Sequence, residues 1–340
     1  MKLTFQPMDL QLLHPFTISR STKKIVPSML VMLEQDGIVG YGEASPSERY
    51  GESQGTVAGF LQRIDLMLFQ DPFQIEKILN SVDQIAVGNG SAKAAIDIAL
   101  HDWIGKRLGI PVWKLFGLSK DNAPQSSFTI GIDSPGVIEQ KLQEAELYQI
   151  LKVKVGVPDD REIIQTIRQQ TGKILRVDAN EGWKSKEEAL DKILWLEEQG
   201  VELVEQPMPA NALEQIAWLR ERVHIPLIAD ESVLRLTDIP TLSNAFDGIN
   251  IKLMKCSGIH EALKMIHTAK AFNMKIMLGC MIESSIGISA AAQLSPLVDY
   301  ADLDGNLLIT NDPFYGVTLA EEKLVLSDNP GIGIHPRAHE

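Results

Sequence analysis

The 340-residue sequence is 44% hydrophobic, enough apolar material for a large core and for more than one domain. Its net charge of −13 excludes a broad nucleic-acid surface, which needs an excess of Lys and Arg. The opening Met1-Lys2-Leu3-Thr4 lacks a signal-peptide apolar run and no stretch approaches the ~18 residues of a membrane span, so a cytoplasmic protein that meets no membrane is expected.

Leu3 to Leu13 and Ile25 to Glu34 read as strands, the second ending in Asp36-Gly37, a strong hairpin signal. Helical patterning follows Tyr41-Gly42-Glu43. Its clearest segment runs from Ser91, the expected N-cap, to Leu108, with Gly109-Ile110-Pro111 as the stop. This first part of the chain reads as α+β. Cys256 and Cys280 are too few for a disulfide framework and form no CxxC pair.

From about Ser126 short apolar runs alternate with helical stretches, the pattern of a parallel sheet with crossover helices. The expected strands are Ser127 to Gly131, Leu151 to Val155, Leu175 to Asp178, Glu202 to Glu205, Pro226 to Asp230, Gly248 to Leu253, Lys275 to Gly279, and Val298 to Leu303. This α/β alternation fits a (β/α)₈ barrel better than an open sheet. No GxGxxG follows a strand, which argues against a dinucleotide-binding fold.

Barrel enzymes place their chemistry where strands end. Here those positions carry Lys152 and Lys154, Asp178, Glu205, Asp230, Lys252, and Asp302 with Asp304. Singly, a strand-end carboxylate reads as a helix cap and a lysine as a residue reaching solvent. Asp178, Glu205 and Asp230, however, lie on three consecutive strands whose ends converge, and three such anions need a cation. All-oxygen ligation with room for water and substrate suits Mg2+. A structural salt-bridge network is the alternative.

The second and sixth strands of an eight-strand barrel stand opposite each other, so Lys154 and Lys252 would flank a carboxylate bound to the ion. One amine on each face of the α-carbon is what reversible inversion requires. Lys152 shares a strand face with Lys154, and its charge is expected to lower the basicity of Lys154. A divalent ion would stabilise the enediolate formed when the α-proton leaves.

These motifs, Lys-Val-Lys at 152 to 154, Asp178, Glu205-Gln206-Pro207, Asp230-Glu231-Ser232, Asn250-Ile251-Lys252-Leu253-Met254-Lys255 and Asp302-Leu303-Asp304, resemble the enolase superfamily. Within it the sequence is similar to the muconate-lactonizing-enzyme subgroup and its dipeptide epimerases related to L-Ala-D/L-Glu epimerase. For that superfamily a Lys or His base with magnesium is a known pairing.

The resemblance implies a (β/α)7β-type barrel, residues 121–305, closed by an α+β capping domain, residues 1–120 completed by 306–340. It implies Lys154 and Lys252 as the acid/base pair, Asp178, Glu205 and Asp230 as Mg2+ ligands, and Asp302 and Asp304 as the ammonium site for a dipeptide. Turn-forming aspartates are the plainer reading of that last pair. Thr129 and the Gly279-Cys280-Met281 segment are implied to position the dipeptide, with Cys280 lining the pocket rather than acting as a nucleophile.

Family members acting on Ala-Glu carry a basic residue after an early Pro-Phe pair. In Pro15-Phe16-Thr17-Ile18-Ser19-Arg20-Ser21, Ser21 falls at that position and Arg20 one residue early. A hydrophobic C-terminal residue is therefore expected, with Phe16, Ile18 and Tyr50 as cover. Rivals are the o-succinylbenzoate synthase, N-acylamino acid racemase and muconate cycloisomerase branches, a non-catalytic metal-dependent binding protein, and, more remotely, a Schiff-base aldolase. A homo-oligomer is compatible with all of them.

Overall fold

The computed structural model describes residues 1–19, 21–320 and 323–337. The chain opens with a three-stranded antiparallel sheet, β1 (Lys2–Ile18), β2 (Ser21–Gln35) and β3 (Ile38–Ala44), in that spatial order. The expected Asp36-Gly37 turn joins β2 to β3, both residues at positive φ (51° and 74°). The β1–β2 hairpin runs further than its apolar core suggests. Beyond an irregularity between Gln11 and Phe16, the ladder resumes with Phe16 opposite Lys23 and Ile18 opposite Ser21.

Three helices cover this sheet: α1 (Gln54–Leu61), α2 (Ile75–Asp83) and α3 (Gly90–Leu108). The α3 helix starts one residue before the expected Ser91 cap. Asn89 occupies the cap position with φ 55°, and Ser91 lies inside the first turn, its N–H and hydroxyl turned to Glu52. The stop at Gly109 is as expected, in the left-handed region. Helix and sheet touch backbone to backbone at β3: a Cβ on Gly42 would lie 2.0 Å from the carbonyl of Ala95. Val31, Leu33, Phe60, Ile78 and Trp103 fill the core between them.

After the short α4 (Val112–Leu115), eight parallel strands follow in sequential order: β4 (Phe128–Ile130), β5 (Ile150–Lys154), β6 (Ile174–Asp178), β7 (Val201–Glu205), β8 (Leu227–Ala229), β9 (Gly248–Ile251), β10 (Lys275–Gly279) and β11 (Tyr300–Asp302). Between them run α5 (Pro135–Glu144), α6 (Asp160–Gln170), α7 (Lys186–Glu198), α8 (Leu213–Arg220), α9 (Ile239–Leu242), α10 (Leu253–Cys256), α11 (Ile259–Ala271) and α12 (Ser285–Ala292). A parallel bridge between Ser126 and Ala301, with the Ser127 N–H donating to the Ala301 carbonyl at 3.2 Å, draws the last strand against the first. The expected (β/α)7β-type barrel is the fold observed.

Strand ends are the main departure. Pro226 and Asp230 lie outside β8, Leu253 opens a helix instead of closing β9, and Val298 precedes β11. Apolar runs continue past the last ladder bond, and only the neighbouring strand decides where pairing stops. The segment after the barrel returns to the first part of the chain: Thr310 N–H donates to Gln11 O, and Ile332 N–H to Asp102 Oδ1. No helix among the described residues is long and apolar enough to cross a membrane.

Candidate active site

Register builds the site. Lys154 pairs with Asp178, and Asp178 with Glu205, so three strand-end residues lie in one row across β5, β6 and β7. Asp230, just beyond β8, completes a buried triad: one carboxylate oxygen from each of Asp178, Glu205 and Asp230 lies within 4.8 Å of the others. The donor set is all oxygen and shielded from water, which fits a hard divalent cation such as Mg2+.

Two lysines flank this triad. Lys154 Nζ donates to Asp178 Oδ2 at 2.6 Å, and Lys252, following β9, donates to Asp230 Oδ2 at 2.7 Å. Lys154 ends the second barrel strand and Lys252 directly follows the sixth, and both line one cavity of about 270 Å³. Lys255 grips the other side of Asp230, donating to Oδ1 at 2.5 Å and to the backbone oxygen at 2.6 Å. Asn250 donates to Glu205 Oε1 at 2.7 Å. Each carboxylate therefore enters the site already oriented.

Lys152 acts differently from the expected like-charge neighbour of Lys154. It crosses the barrel, its Nζ 2.7 Å from both Glu205 Oε2 and Asp302 Oδ2 and 3.2 Å from Asp178 Oδ2. Burial pushes its ammonium down, but these carboxylates outweigh burial and hold it well above the ordinary amine range. Lys252 behaves likewise: burial lowers it, Asp230 raises it, and the net direction is upward. The carboxylates are thus stronger determinants of charge here than the neighbouring lysines.

The acids are pushed apart. Burial raises Asp178, but Lys154 and Lys152 bring it down to about 2. Burial and the Asp178 charge lift Glu205 to about 7. At the far wall, burial raises Asp302 but Lys152 brings it below the usual carboxylate range, and Ser127 Oγ donates to it at 2.7 Å. Asp304, raised by burial and by Asp302 to about 6, accepts the Thr129 N–H at 2.7 Å. The two strand-eight aspartates both line the cavity but are not equivalent: Asp302 is held by Lys152, whereas Asp304 is held by Thr129.

Thr129, Ser21 and Cys280 line the same cavity. Burial, then Asp304, push the Cys280 thiol well up, which suits a wall rather than a nucleophile. Arg20 lies outside the described residues. The sequence reading missed Lys23, Asn180 and Arg49, which also line the cavity. The apolar run predicts a strand from Ile25, beyond Lys23, yet the hairpin extends to Ser21. Alternation then puts Ser21 and Lys23 on one face with their partners Phe16 and Ile18. Arg49, in the segment after β3, reaches the barrel loop that follows β6, its guanidinium bidentate to Glu181 at 2.8 Å for both bonds.

A buried carboxylate triad flanked by two lysines, at the C-terminal mouth of the barrel, could hold a metal ion. The chain belongs to the enolase superfamily. Residues 137–340 match the enolase C-terminal domain-like family and residues 3–117 the mandelate racemase / muconate lactonizing enzyme N-terminal domain.

The chain is 50% identical over 335 residues to an L-Ala-D/L-Glu epimerase of Bacteroides thetaiotaomicron, spanning 98% of this chain and 88% of that protein. Its fold superposes with a TM-score of 0.94 on a substrate-liganded L-Ala-D/L-Glu epimerase from Bacillus subtilis, at 30% identity and covering 100% and 99% of the two chains. A dipeptide epimerase from Enterococcus faecalis, complexed with Mg and L-Leu-L-Tyr, matches with a TM-score of 0.90 at 35% identity, covering 98% of each chain.

Proposed function

We propose that this protein is a dipeptide epimerase that inverts the α-carbon of the C-terminal residue of an Ala-Xaa dipeptide by two-base 1,1-proton transfer. The observation that carries the reading is the placement of Lys154 and Lys252 on opposite strands around one cavity that also holds Asp304. Names of the relatives support it, since they include dipeptide epimerases.

Asp178, Glu205 and Asp230 would hold Mg2+. When bound, it offsets the second negative charge that a carboxylate acquires on losing its α-proton. The chain's own residues do the rest. One lysine, as the neutral amine, takes the α-proton at Nζ, and the other, as the ammonium, returns a proton from its Nζ to the opposite face. The reverse reaction exchanges their roles. Asp304 receives the dipeptide ammonium, while Lys152 holds Asp302 beside it. Residues 1–120 and 306–340 act as the cap that excludes water from residues 121–305.

The hydrophobic preference expected for Xaa rests on Phe16, Ile18, Val26, Tyr50 and Leu308, which form an apolar wall. Lys23 favours a second reading, Ala-Glu, because it puts a cation on that wall. Incubation of Ala-Leu, Ala-Val and Ala-Glu in deuterium oxide with Mg2+ tests both. Exchange with Ala-Glu that collapses in Lys23→Met selects the acidic reading, and exchange confined to the apolar dipeptides selects the hydrophobic one. Exchange with N-acyl amino acids but with no dipeptide would favour the racemase branch, and binding without any exchange a non-catalytic protein.

A further inference from the structure

The turn that follows β10 forms one wall of the cavity through Cys280, Met281 and Ile282. Two buried carboxyl groups hold it. Glu283 folds back on its own turn, Oε1 accepting the Met281 N–H at 2.7 Å. Its other oxygen, Oε2, is buried without a hydrogen-bond partner. Glu43, from β3, accepts the Ser284 N–H at 3.0 Å, the Ser284 hydroxyl at 2.6 Å, the Gly287 N–H at 3.1 Å and the Ser28 hydroxyl at 2.9 Å. Ser45, on the same side, donates its hydroxyl to the Ile282 carbonyl at 2.9 Å.

The packing leaves no slack. A Cβ on Gly287 would meet Glu283 Oε2 at 2.1 Å, and one on Gly305 would meet the Met281 carbonyl at 2.5 Å. Gly305 follows Asp304 directly, so a displaced turn would move both the cavity wall and the residue assigned to the substrate ammonium. Burial raises Glu43 above the usual carboxylate range, but the four donors aimed at it oppose that shift and favour its anion, whereas a single N–H faces Glu283.

We propose that Glu283 is a positioning residue for substrate binding: through its bond to the Met281 N–H it fixes the Cys280–Ile282 wall and, through Gly305, the place of Asp304. This rests on the dipeptide-epimerase reading. Burial and the charge of Glu43 lift Glu283 to about 8, against opposing effects of the Met281 N–H and Lys252. The charged and titratable groups facing it are Glu43 from the sheet, Lys252 from the barrel and Cys280 from its own turn. Ionisation above that pH would set two anions side by side in a dry site and loosen the turn.

The test is the pH dependence of KM and kcat for a dipeptide in wild type, Glu283→Gln and Glu283→Ala. The wild type is expected to lose affinity above about pH 8, while Glu283→Gln, which keeps the acceptor and cannot ionise, holds a flat KM. Loss of the buried bond in Glu283→Ala should raise KM about tenfold with kcat nearly unchanged. An unchanged KM in Glu283→Ala would overturn the proposal. If that variant fails to fold, a Glu283→Gln profile that still rises like the wild type overturns it instead. Wild-type protein inert on every dipeptide would sink the epimerase reading itself, and the positioning role with it.

Discussion

Lys154 and Lys252 stand four strands apart in the barrel, yet each donates to a different carboxylate of one buried triad, at 2.6 Å and 2.7 Å. Replacing either with Ala should therefore remove one face of the reaction. Epimerisation is expected to fall about a thousandfold in each variant. Deuterium exchange started from the D- and from the L-residue should fail differently in the two variants, which chiral chromatography with mass spectrometry reads. Equal full activity in both would end the two-base reading.

Metal binding should be visible without turnover. Mg2+ is expected to raise the melting temperature of the wild type, because an ion that binds only the folded state stabilises it by mass action. Asp178→Asn, Glu205→Gln and Asp230→Asn should each lose most of that rise, and a chelator should abolish exchange in the wild type. A magnesium-independent melting curve in the wild type would contradict the assignment of the triad.

Asp304 can attract an ammonium only when ionised, and its carboxyl sits at about 6. Below that pH it is protonated, so KM for a dipeptide should rise as pH falls through about 6, while binding strengthens above it. Asp304→Asn removes the charge at every pH. A lost charge-assisted contact predicts a KM about ten to a hundred times higher. The slope near pH 6 should vanish with it.

Two residues past Lys154, Gly156 adopts φ 98°, and a Cβ there would lie 2.4 Å from the Ala179 carbonyl. Gly156→Ala is expected to cost about 1–3 kcal/mol in urea unfolding from the strained backbone alone. Because the clash pushes on the Asp178–Asn180 segment, Mg2+ affinity should fall as well. Normal stability and metal affinity in this variant would show that the two loops yield easily.

Much of the site was legible because chemistry and period coincide. Each of Lys154, Asp178, Glu205 and Asp230 closes an apolar run, and parallel neighbours in register bring such ends together. The role of Lys152 was not legible. Its reach to Asp302 depends on barrel closure, through which the first and last strands meet at Ser126 and Ala301. Lys23 was missed for a local reason: its strand was expected to begin at Ile25, and the alternation that points Lys23 inward starts at Ser21.

The sequence by itself determined the architecture, since strand and helix periods and apolar runs are properties of neighbouring residues. It also determined the inventory of lysines and carboxylates and the strands that carry them. Only the tertiary structure decided which charges touch. The Lys152 bridge, the inequality of Asp302 and Asp304, and the hold of Glu43 and Glu283 on one turn all join residues far apart in the chain. Their energies depend on distance and burial, which exist only once the barrel and the hairpin sheet have closed on each other.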